Sequence, residues 1–393
     1  MHVAELTPWR AALAERSRAQ STAAQGVYIH VPYCASRCGY CDFNTYTPGE
    51  IDVESHAYLL AAAAEIDHAR SLWRPGHIDT VFIGGGTPTL LSATDLTDLL
   101  RRVDDSFGLA DDAEVTVEAN PDSVDQHVLD QLREGGFTRI SFGVQSLAPH
   151  VLAVLDRTHS PGRSLEAIAM AQAAGFEHVS ADIIYATPGE TDDDLAHTVS
   201  ALLHTGIDHL SAYALIVEPG TRLANDVRRG LIPAPDDDVA ADRYQIIDRL
   251  CAASGLSWYE ISSWAKSGGE CRHNLGYWRG GDWWAVGPGA HGHRDGLRWM
   301  NAKHPRAYTE RIWADGDAVV ETEIISQAAI DMERVMLGLR LREGLAVGAV
   351  TPDKQDQIDL EVAAGLLVRV QDRIVLTDAG RLLADGIVGR LTS

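Results

Sequence analysis

Six short runs rich in β-branched residues follow one another along this chain, at residues 27–31, 80–83, 114–119, 139–144, 178–184 and 209–214. Between them lie stretches with helical spacing of apolar residues, at 58–70, 92–103, 124–134, 164–174 and 195–204. Repeated strand-then-helix alternation predicts a parallel sheet with crossover helices. Periodicity alone fits either a doubly wound sheet or an open, partial β/α barrel. The placement of the chemistry narrows the choice, because each distinctive motif falls on or just past the C-terminal end of a run, where β/α barrels assemble their sites. The run 27–31 leads into a cysteine-rich loop, the second into Gly84-Gly85-Gly86-Thr87, and the third into Glu118-Ala119-Asn120-Pro121. The fourth leads into Gln145, the fifth carries Asp182, and the sixth leads to Glu218-Pro219-Gly220.

Strand periodicity sharpens this expectation. In the third run Val115 and Val117 share one face and Thr116 and Glu118 the other. In the fourth, Ile140 and Phe142 oppose Ser141, Gly143 and Gln145. One face suits packed helices and the other a polar lumen.

Three of the five cysteines fall within eight residues, Cys34-Ala-Ser-Arg-Cys38-Gly-Tyr-Cys41. Three thiolates on one tight loop can hold three corners of a cubane iron–sulfur cluster. Ferredoxin-type clusters use four cysteines, so a cluster held here has an iron open to another ligand. Zinc favours paired C-x2–4-C ligands or a pair with two histidines, and disulfides would leave one thiol over. The Gly84–Gly86 run lacks the Lys-Ser/Thr of a phosphate loop. Its missing side chains instead let a ligand's polar groups approach the backbone. Glu118, Gln145, Arg157 and Asp182 add hydrogen-bonding groups on or after successive strands. A carboxylate suits a ribose diol or an amino group, and a guanidinium suits a carboxylate.

With 33 basic against 56 acidic residues the formal charge is −23, which argues against a nucleic-acid-binding surface. No apolar run approaches the length of a membrane span, and no secretory signal is visible near the N-terminus. A cytoplasmic location, where thiols stay reduced, is therefore expected. From about residue 331 the rhythm changes to a helix at 330–341, a hairpin at 367–370 and 373–376, and a final helix capped by Thr377. This pattern suggests a small winged-helix-like module. Its eight basic and ten acidic residues over 331–393 favour packing or a lid over DNA reading.

The strings Tyr28-Ile-His-Val-Pro-Tyr-Cys34, Gly-Gly-Gly-Thr-Pro-Thr, Glu-Ala-Asn-Pro, Ser-Phe-Gly-Val-Gln-Ser and Leu155-Asp-Arg-Thr-His159 resemble the HemN/HemW branch of the radical S-adenosylmethionine (SAM) superfamily. The resemblance implies an α/β fold, a partial (β/α)6 radical-SAM barrel with a small C-terminal helical, winged-helix-like domain. The organisation expected is a lead-in at 1–25, the barrel at 26–260, a Trp- and Gly-rich segment at 261–330 and the C-terminal module at 331–393. The resemblance further implies a [4Fe–4S] cluster on Cys34, Cys38 and Cys41, with a first SAM on Tyr28, Gly85 and Glu118. A second SAM is implied on Tyr40, Gly86, Thr87, Gln145, Arg157 and Asp182.

Two features resemble the heme-chaperone side of this branch rather than coproporphyrinogen III oxidase. The chain reads Cys41-Asp42-Phe43, where the oxidase carries a further cysteine, and only 33 residues precede the cysteine loop. It also contains His273-Asn-Leu-Gly-Tyr277-Trp278, similar to the H-N-x-x-Y-W sequence of the chaperones. The implied partners are heme, acceptor hemoproteins such as respiratory ones, and a second copy of the chain in a cluster-dependent homodimer. Heme iron takes His or Cys axial ligands, which makes His273 the first candidate and Cys271, His291 and His293 others. Tyr277, Trp278, Trp283 and Trp284 offer flat surface for a macrocycle. A decarboxylating oxidase and a SAM-dependent methyltransferase or tailoring enzyme are the alternatives.

Overall fold

The computed structural model describes residues 8–16, 24–50 and 54–393. All six runs form strands: β1 (Gln25–Val31), β2 (Ile78–Gly85), β3 (Leu109–Ala119), β4 (Arg139–Gln145), β5 (His178–Tyr185) and β6 (His209–Ala214). Each pairs in parallel with the next. The crossovers are the helices Ser55–Leu72, Ala93–Phe107, Gln126–Glu134, Pro161–Ala173 and Asp192–His204. The starts of the last four are set by short polar residues that accept the exposed N–H groups of the first turn. Ser92 accepts from Asp95 N at 3.1 Å and Asp125 from Val128 N at 2.9 Å. Thr191 and Asp194 form a reciprocal capping box.

The two strand faces separate as their alternation predicts. Val27, Ile29, Val31, Val81, Ile83, Val117, Ile140 and Phe142 are buried together in the main core, under helix residues such as Ile66, Leu96, Leu129 and Ile168. Tyr28, Thr116, Glu118, Ser141, Gln145 and Asp182 point the other way, into the lumen. This is the partial barrel expected from the sequence.

Most of the Trp- and Gly-rich segment is woven into the same sheet. β7 (Ser257–Glu260) and β8 (Ser263–Ala265) form an antiparallel hairpin that joins the sheet beside β6. β9 (Asp282–Val286) pairs in parallel with β1 at the opposite side, and β10 (His291–Arg294), β11 (Leu297–Asn301) and β12 (Val319–Ile324) continue antiparallel beyond it. Among the described residues this makes one sheet of twelve strands, with β1–β6 at its centre. Of the lead-in, residues 1–7 and 17–23 lie outside the described residues. Its helix Pro8–Arg16 lays Trp9 against Trp299, with ring centroids 6.2 Å apart.

The C-terminal module has its own apolar core, formed by Val335, Leu339, Ile358, Leu367, Ile374, Ile387 and Leu391 among others. Its hairpin Leu367–Val370 and Arg373–Leu376 falls where the sequence placed it, with Leu345–Ala346 as a third strand. Thr377 is a helix cap, accepting from Gly380 N at 3.0 Å. The helix after it is broken at Leu383 into Asp378–Leu382 and Ala384–Thr392, because Leu383 leaves helical geometry at φ −119° and ψ 18°. No helix of the described residues is long and apolar enough to cross a membrane.

One side chain latches this module to the barrel. The Arg381 guanidinium donates to both Asp248 oxygens, at 2.9 and 2.7 Å, and lies over the Trp258 ring at 4.8 Å. Burial alone would raise the Asp248 carboxyl, but the bonds from Arg381 and Trp264 outweigh it and hold that carboxyl below its ordinary value. Removing one partner of such a pair leaves a desolvated charge behind. We expect Arg381→Met to lower stability by about 2–3 kcal/mol in urea unfolding, less than the roughly 3–5 kcal/mol of a fully buried pair because Asp248 keeps some solvent contact. The loss should shrink at acid pH, since a depressed carboxylate contributes stability only above its folded value. An unchanged midpoint at neutral pH would refute the latch.

Candidate functional site

The cysteine loop leaves β1 through Pro32 and returns at Tyr46, and its neck is pinned by backbone hydrogen bonds. Cys34 N donates to Tyr46 O at 3.0 Å and Tyr46 N to Pro32 O at 2.7 Å. Gly86 N and Thr87 N, from the turn after β2, donate to Val31 O and Tyr33 O at 2.8 and 2.7 Å. The loop's far side is stitched to other strand ends, with Gly39 N donating to Leu155 O at 3.3 Å and Leu223 N to Gly39 O at 2.8 Å. The loop therefore lies across the top of the barrel as a fixed cap.

Glycine permits this closeness. Gly85 has φ +110°, and a Cβ there would stand 2.6 Å from the His30 ring. A Cβ on Gly86 would meet Tyr33 O at 2.4 Å and Cys34 Sγ at 3.1 Å. The triple glycine thus lets the β2 turn slide beneath the cysteines with its backbone bare.

Cys34, Cys38 and Cys41 are free thiols, each partly exposed, and all three line one cavity of about 680 Å³. Burial raises the Cys34 thiol and pushes Cys41 up to about 11. A bound metal must displace those protons. Arg157 sits on the cavity wall, donating to Cys38 Sγ at 3.4 Å and to Gly143 O at 2.6 Å, while its buried Nε has no partner. Thr87 Oγ1 lies 4.0 Å from Cys34 Sγ. Among the described residues no three His, Cys, Asp or Glu side chains close on a single metal ion. A cubane is a different case, since each thiolate holds its own iron and the sulfurs stand further apart. Three reduced thiols on one capped loop, a neighbouring cation and an unused N–H donor fit such a cluster.

The remaining residues singled out from the sequence line the same cavity. Tyr28, Tyr40, Gly85, Gly86, Thr87, Glu118, Gln145, Arg157, Asp182 and His273 all contribute to its wall. Gln145 adopts φ +64°, a left-handed conformation unusual outside glycine, and such strain clusters at functional sites. The Glu118 carboxylate accepts from Gly85 N at 3.0 Å. Burial first, then the nearby Asp182, push its pKa up to about 8. Burial also raises Asp182, although Ser141 Oγ donates to it at 2.8 Å. A cationic ligand in this lumen would oppose the effect of burial on both carboxyls and favour their charged forms.

The floor of the lumen was not foreseen. Arg139 reaches in from the start of β4, paired with Glu114 at 3.1 Å, and its Nη1 is buried without a partner. His209, at the start of β6, bridges Ser180 at 2.7 Å and Tyr259 at 2.8 Å. Extending the inward alternation to residues 139, 209 and 211 would have found them, since no motif marks them.

The H-N-x-x-Y-W segment closes this floor. Its short helix Arg272–Trp278 presents Arg272 N and His273 N to Glu114, at 3.1 and 3.0 Å. His273 Nδ1 bonds Thr80 Oγ1 at 2.8 Å and Nε2 bonds Tyr277 OH at 2.7 Å, so both ring nitrogens are engaged. Burial lowers its pKa to about 4 and keeps the ring neutral. Ligation of iron by His273 therefore requires one of these bonds to break. Cys271 is buried against Glu114 at 3.5 Å. Of the proposed flat surface, Tyr277 and Trp283 face the open side and meet edge to face at 4.6 Å. Trp284 does not, because it is buried in the core, stacked on Trp73 at 6.0 Å. His293 bonds Gly281 O and accepts from Gly296 N, and serves the β10–β11 turn. His291 lies in an outer groove that shares Cys38 and Cys41 with the lumen.

A carboxyl held near pH 8 ionises more easily after unfolding, so the folded protein loses stability as pH rises from the ordinary carboxylate range towards 8. For the cluster-free protein we expect Glu118→Gln to raise the thermal midpoint over wild type more at pH 8 than at pH 5. Equal shifts at both pH values would contradict this account of Glu118.

A sequence model of the radical SAM superfamily matches residues 28–202. The heme chaperone HemW of Mycobacterium tuberculosis (strain H37Rv) is 50% identical over 367 residues, covering 93% of this chain and 94% of that protein. The HemW proteins of Bacillus subtilis (strain 168) and Escherichia coli (strain K12) are 33% and 32% identical, each over more than nine-tenths of both chains. Among solved structures, coproporphyrinogen III oxidase (HemN) from Escherichia coli superposes with a TM-score of 0.82 at 23% identity, covering 98% of this chain and 93% of that one. That likeness shows a shared fold. Barrel, capped cysteine loop and sequence identity together place the chain in the HemW family of radical SAM proteins.

Proposed function

We propose that this protein captures heme and hands it to acceptor hemoproteins, with a [4Fe–4S] cluster and SAM setting its competence for transfer. The observation that carries the reading is the convergence of the cysteine loop, the bare glycine turn and the H-N-x-x-Y-W helix on one cavity, in a chain half identical to a protein named a heme chaperone. Cys34, Cys38 and Cys41 would hold the cluster. Tyr28, Gly85 and Glu118 would receive the SAM on its open iron. Tyr40, Gly86, Thr87, Gln145, Arg157 and Asp182 would line a second SAM site. When bound, cluster and SAM supply the capacity for reductive carbon–sulfur cleavage.

The chain's own residues bind and orient. The Gly85–Thr87 backbone offers polar groups that no side chain screens. Burial raises both Glu118 and Asp182, so the positive charge of a sulfonium or ammonium group would favour their ionised forms. Arg157 sets a guanidinium N–H 3.4 Å from Cys38 Sγ, at the edge of the cluster loop. Glu114, Arg139 and His273 hold the floor shut, which excludes water from below. In a reducing compartment such as the cytoplasm the three thiols would stay available, and occupancy of the cluster would control pairing of two copies.

The test is anaerobic reconstitution followed by heme titration and mixing with an apo-hemoprotein. We expect heme capture near one equivalent, its transfer to the acceptor, and no conversion of coproporphyrinogen in the presence of SAM and reductant. Cys34→Ala, Cys38→Ala or Cys41→Ala should each abolish the cluster's visible absorption. Catalytic formation of protoporphyrinogen would replace this reading with the oxidase, and a methylated product with a methyltransferase.

A further inference from the structure

The cysteine loop has a second anchorage, and it begins at a buried acid that the lumen does not use. Glu65, on the helix Ser55–Leu72, is buried and borders neither the lumen nor the outer groove. Three donors converge on its carboxyl. Gly287 N and Tyr308 OH donate to Oε2 at 2.9 and 2.6 Å, and Asn301 Nδ2 donates to Oε1 at 2.7 Å. Burial pushes the carboxyl up to about 7, against the pull of these donors. A buried polar network satisfied in this way rigidifies what it joins. Here it joins the helix to the turn between β9 and β10 and to the end of β11. Asn301 Nδ2 also donates to Gly287 O at 3.0 Å, Gly289 N to Ala302 O at 3.0 Å and Asn301 N to Ala290 O at 2.9 Å. Residues 287–290 and 301–303 thus form a small fixed platform.

Asn44 seats the cysteine loop on that platform. It stands just past Cys41, and its Nδ2 donates to Pro288 O at 3.0 Å and to Lys303 O at 2.8 Å. Only the amide nitrogen can face two carbonyls, so these partners set the orientation of the side chain. Its Oδ1 accepts from Tyr46 OH at 3.2 Å, and its backbone carbonyl accepts from His30 Nε2 at 2.9 Å. The approach is close enough to require glycine. Gly289 has φ +72°, and a Cβ there would stand 2.6 Å from Asn44 Nδ2.

The residues on either side of Asn44 face the thiols. Phe43 and Thr45 line the lumen with Cys34, Cys38 and Cys41. The Phe43 N–H favours the Cys41 thiolate, and Thr45 Oγ1 is buried without a partner. Hydrogen bonds to cluster sulfurs are one of the terms that set a reduction potential, so the position of this limb matters to the chemistry as well as to the fold.

We propose that Asn44 is a positioning residue for the cluster, holding residues 43–45 in their cluster-binding geometry before any iron arrives, with Glu65 as the anchor of the platform it grips. This deepens the cluster assignment above and rests on it, but not on the identity of the cargo. The cysteines supply the iron ligands, and Asn44 fixes the polar groups that surround the sulfurs.

The test compares wild type with Asn44→Ala and Asn44→Asp, each as the full chain, first cluster-free and then anaerobically reconstituted. In cluster-free wild type the amides of Cys34 and Tyr46, which donate to Tyr46 O and Pro32 O, should already be protected from hydrogen exchange. Asn44→Ala should speed their exchange at least tenfold while the amides of β2 to β5 stay as they were. Asn44→Asp is almost the same size but turns a carboxylate oxygen towards two carbonyls, so it should be no milder than Asn44→Ala. After reconstitution both variants should still load four irons, with a shifted reduction potential and altered electron paramagnetic resonance g-values. Arg381→Met, which weakens the fold elsewhere, should keep the wild-type potential and spectrum. Loop amides that exchange freely in cluster-free wild type, an Asn44→Asp variant that behaves as wild type, or Asn44 variants with an unaltered potential would each overturn the assignment and leave the cluster reading standing. If wild type itself takes up no iron, both fall together.

Discussion

Every part of this site depends on strands that face two different environments. On β1–β6 the outward side chains are branched and apolar, and their burial under the crossover helices drives the sheet together. The inward ones are polar or small, and a lumen lined that way has to satisfy each group it desolvates. Ser141 does so for Asp182, Gly85 N for Glu118 and Thr80 for His273. Among the described residues four buried atoms on the cavity wall are left without a partner, Thr45 Oγ1, Thr116 Oγ1, Arg139 Nη1 and Arg157 Nε. An interior with unused hydrogen-bonding capacity beside three thiols is built to receive a polar ligand.

The fold and the site differ in how much of each could be read from residues alone. The six central strands are recovered within a few residues because each is buried on both sides and bounded by turn chemistry. β8 to β12 escaped notice. They are three to six residues long and antiparallel except where β9 meets β1, and β9, on which β10 to β12 build, depends on a partner more than two hundred and fifty residues away in the register Gln25 to Asp282. No local periodicity encodes such a pairing. The lead-in helix is similar, since Trp9 finds its partner in Trp299.

Within the site, residues that belong to a motif were legible and residues that serve a motif were not. The cysteines, glycines and inward carboxylates carry their chemistry in their spacing. Arg139 and His209 are ordinary strand residues in the sequence and become important only as the floor. His273 is a separate case, because its motif marks it in the sequence while its partners Thr80 and Tyr277 do not. A histidine's role is set by what its two nitrogens touch, and one of those contacts spans 193 positions of chain. Trp284, expected as ligand surface, is the one the structure corrects, since the alternation along β9 turns it into the core and leaves Trp283 outside.

The central claim is that three neighbouring thiols hold a cluster with one iron left for SAM. Mössbauer spectroscopy of the iron-57-reconstituted protein, recorded with and without SAM, addresses it most directly. The account predicts four irons per chain, one of which changes its isomer shift when SAM is added while the others stay as they were. Four irons that all ignore SAM, or a protein that takes up zinc in place of iron, would contradict it.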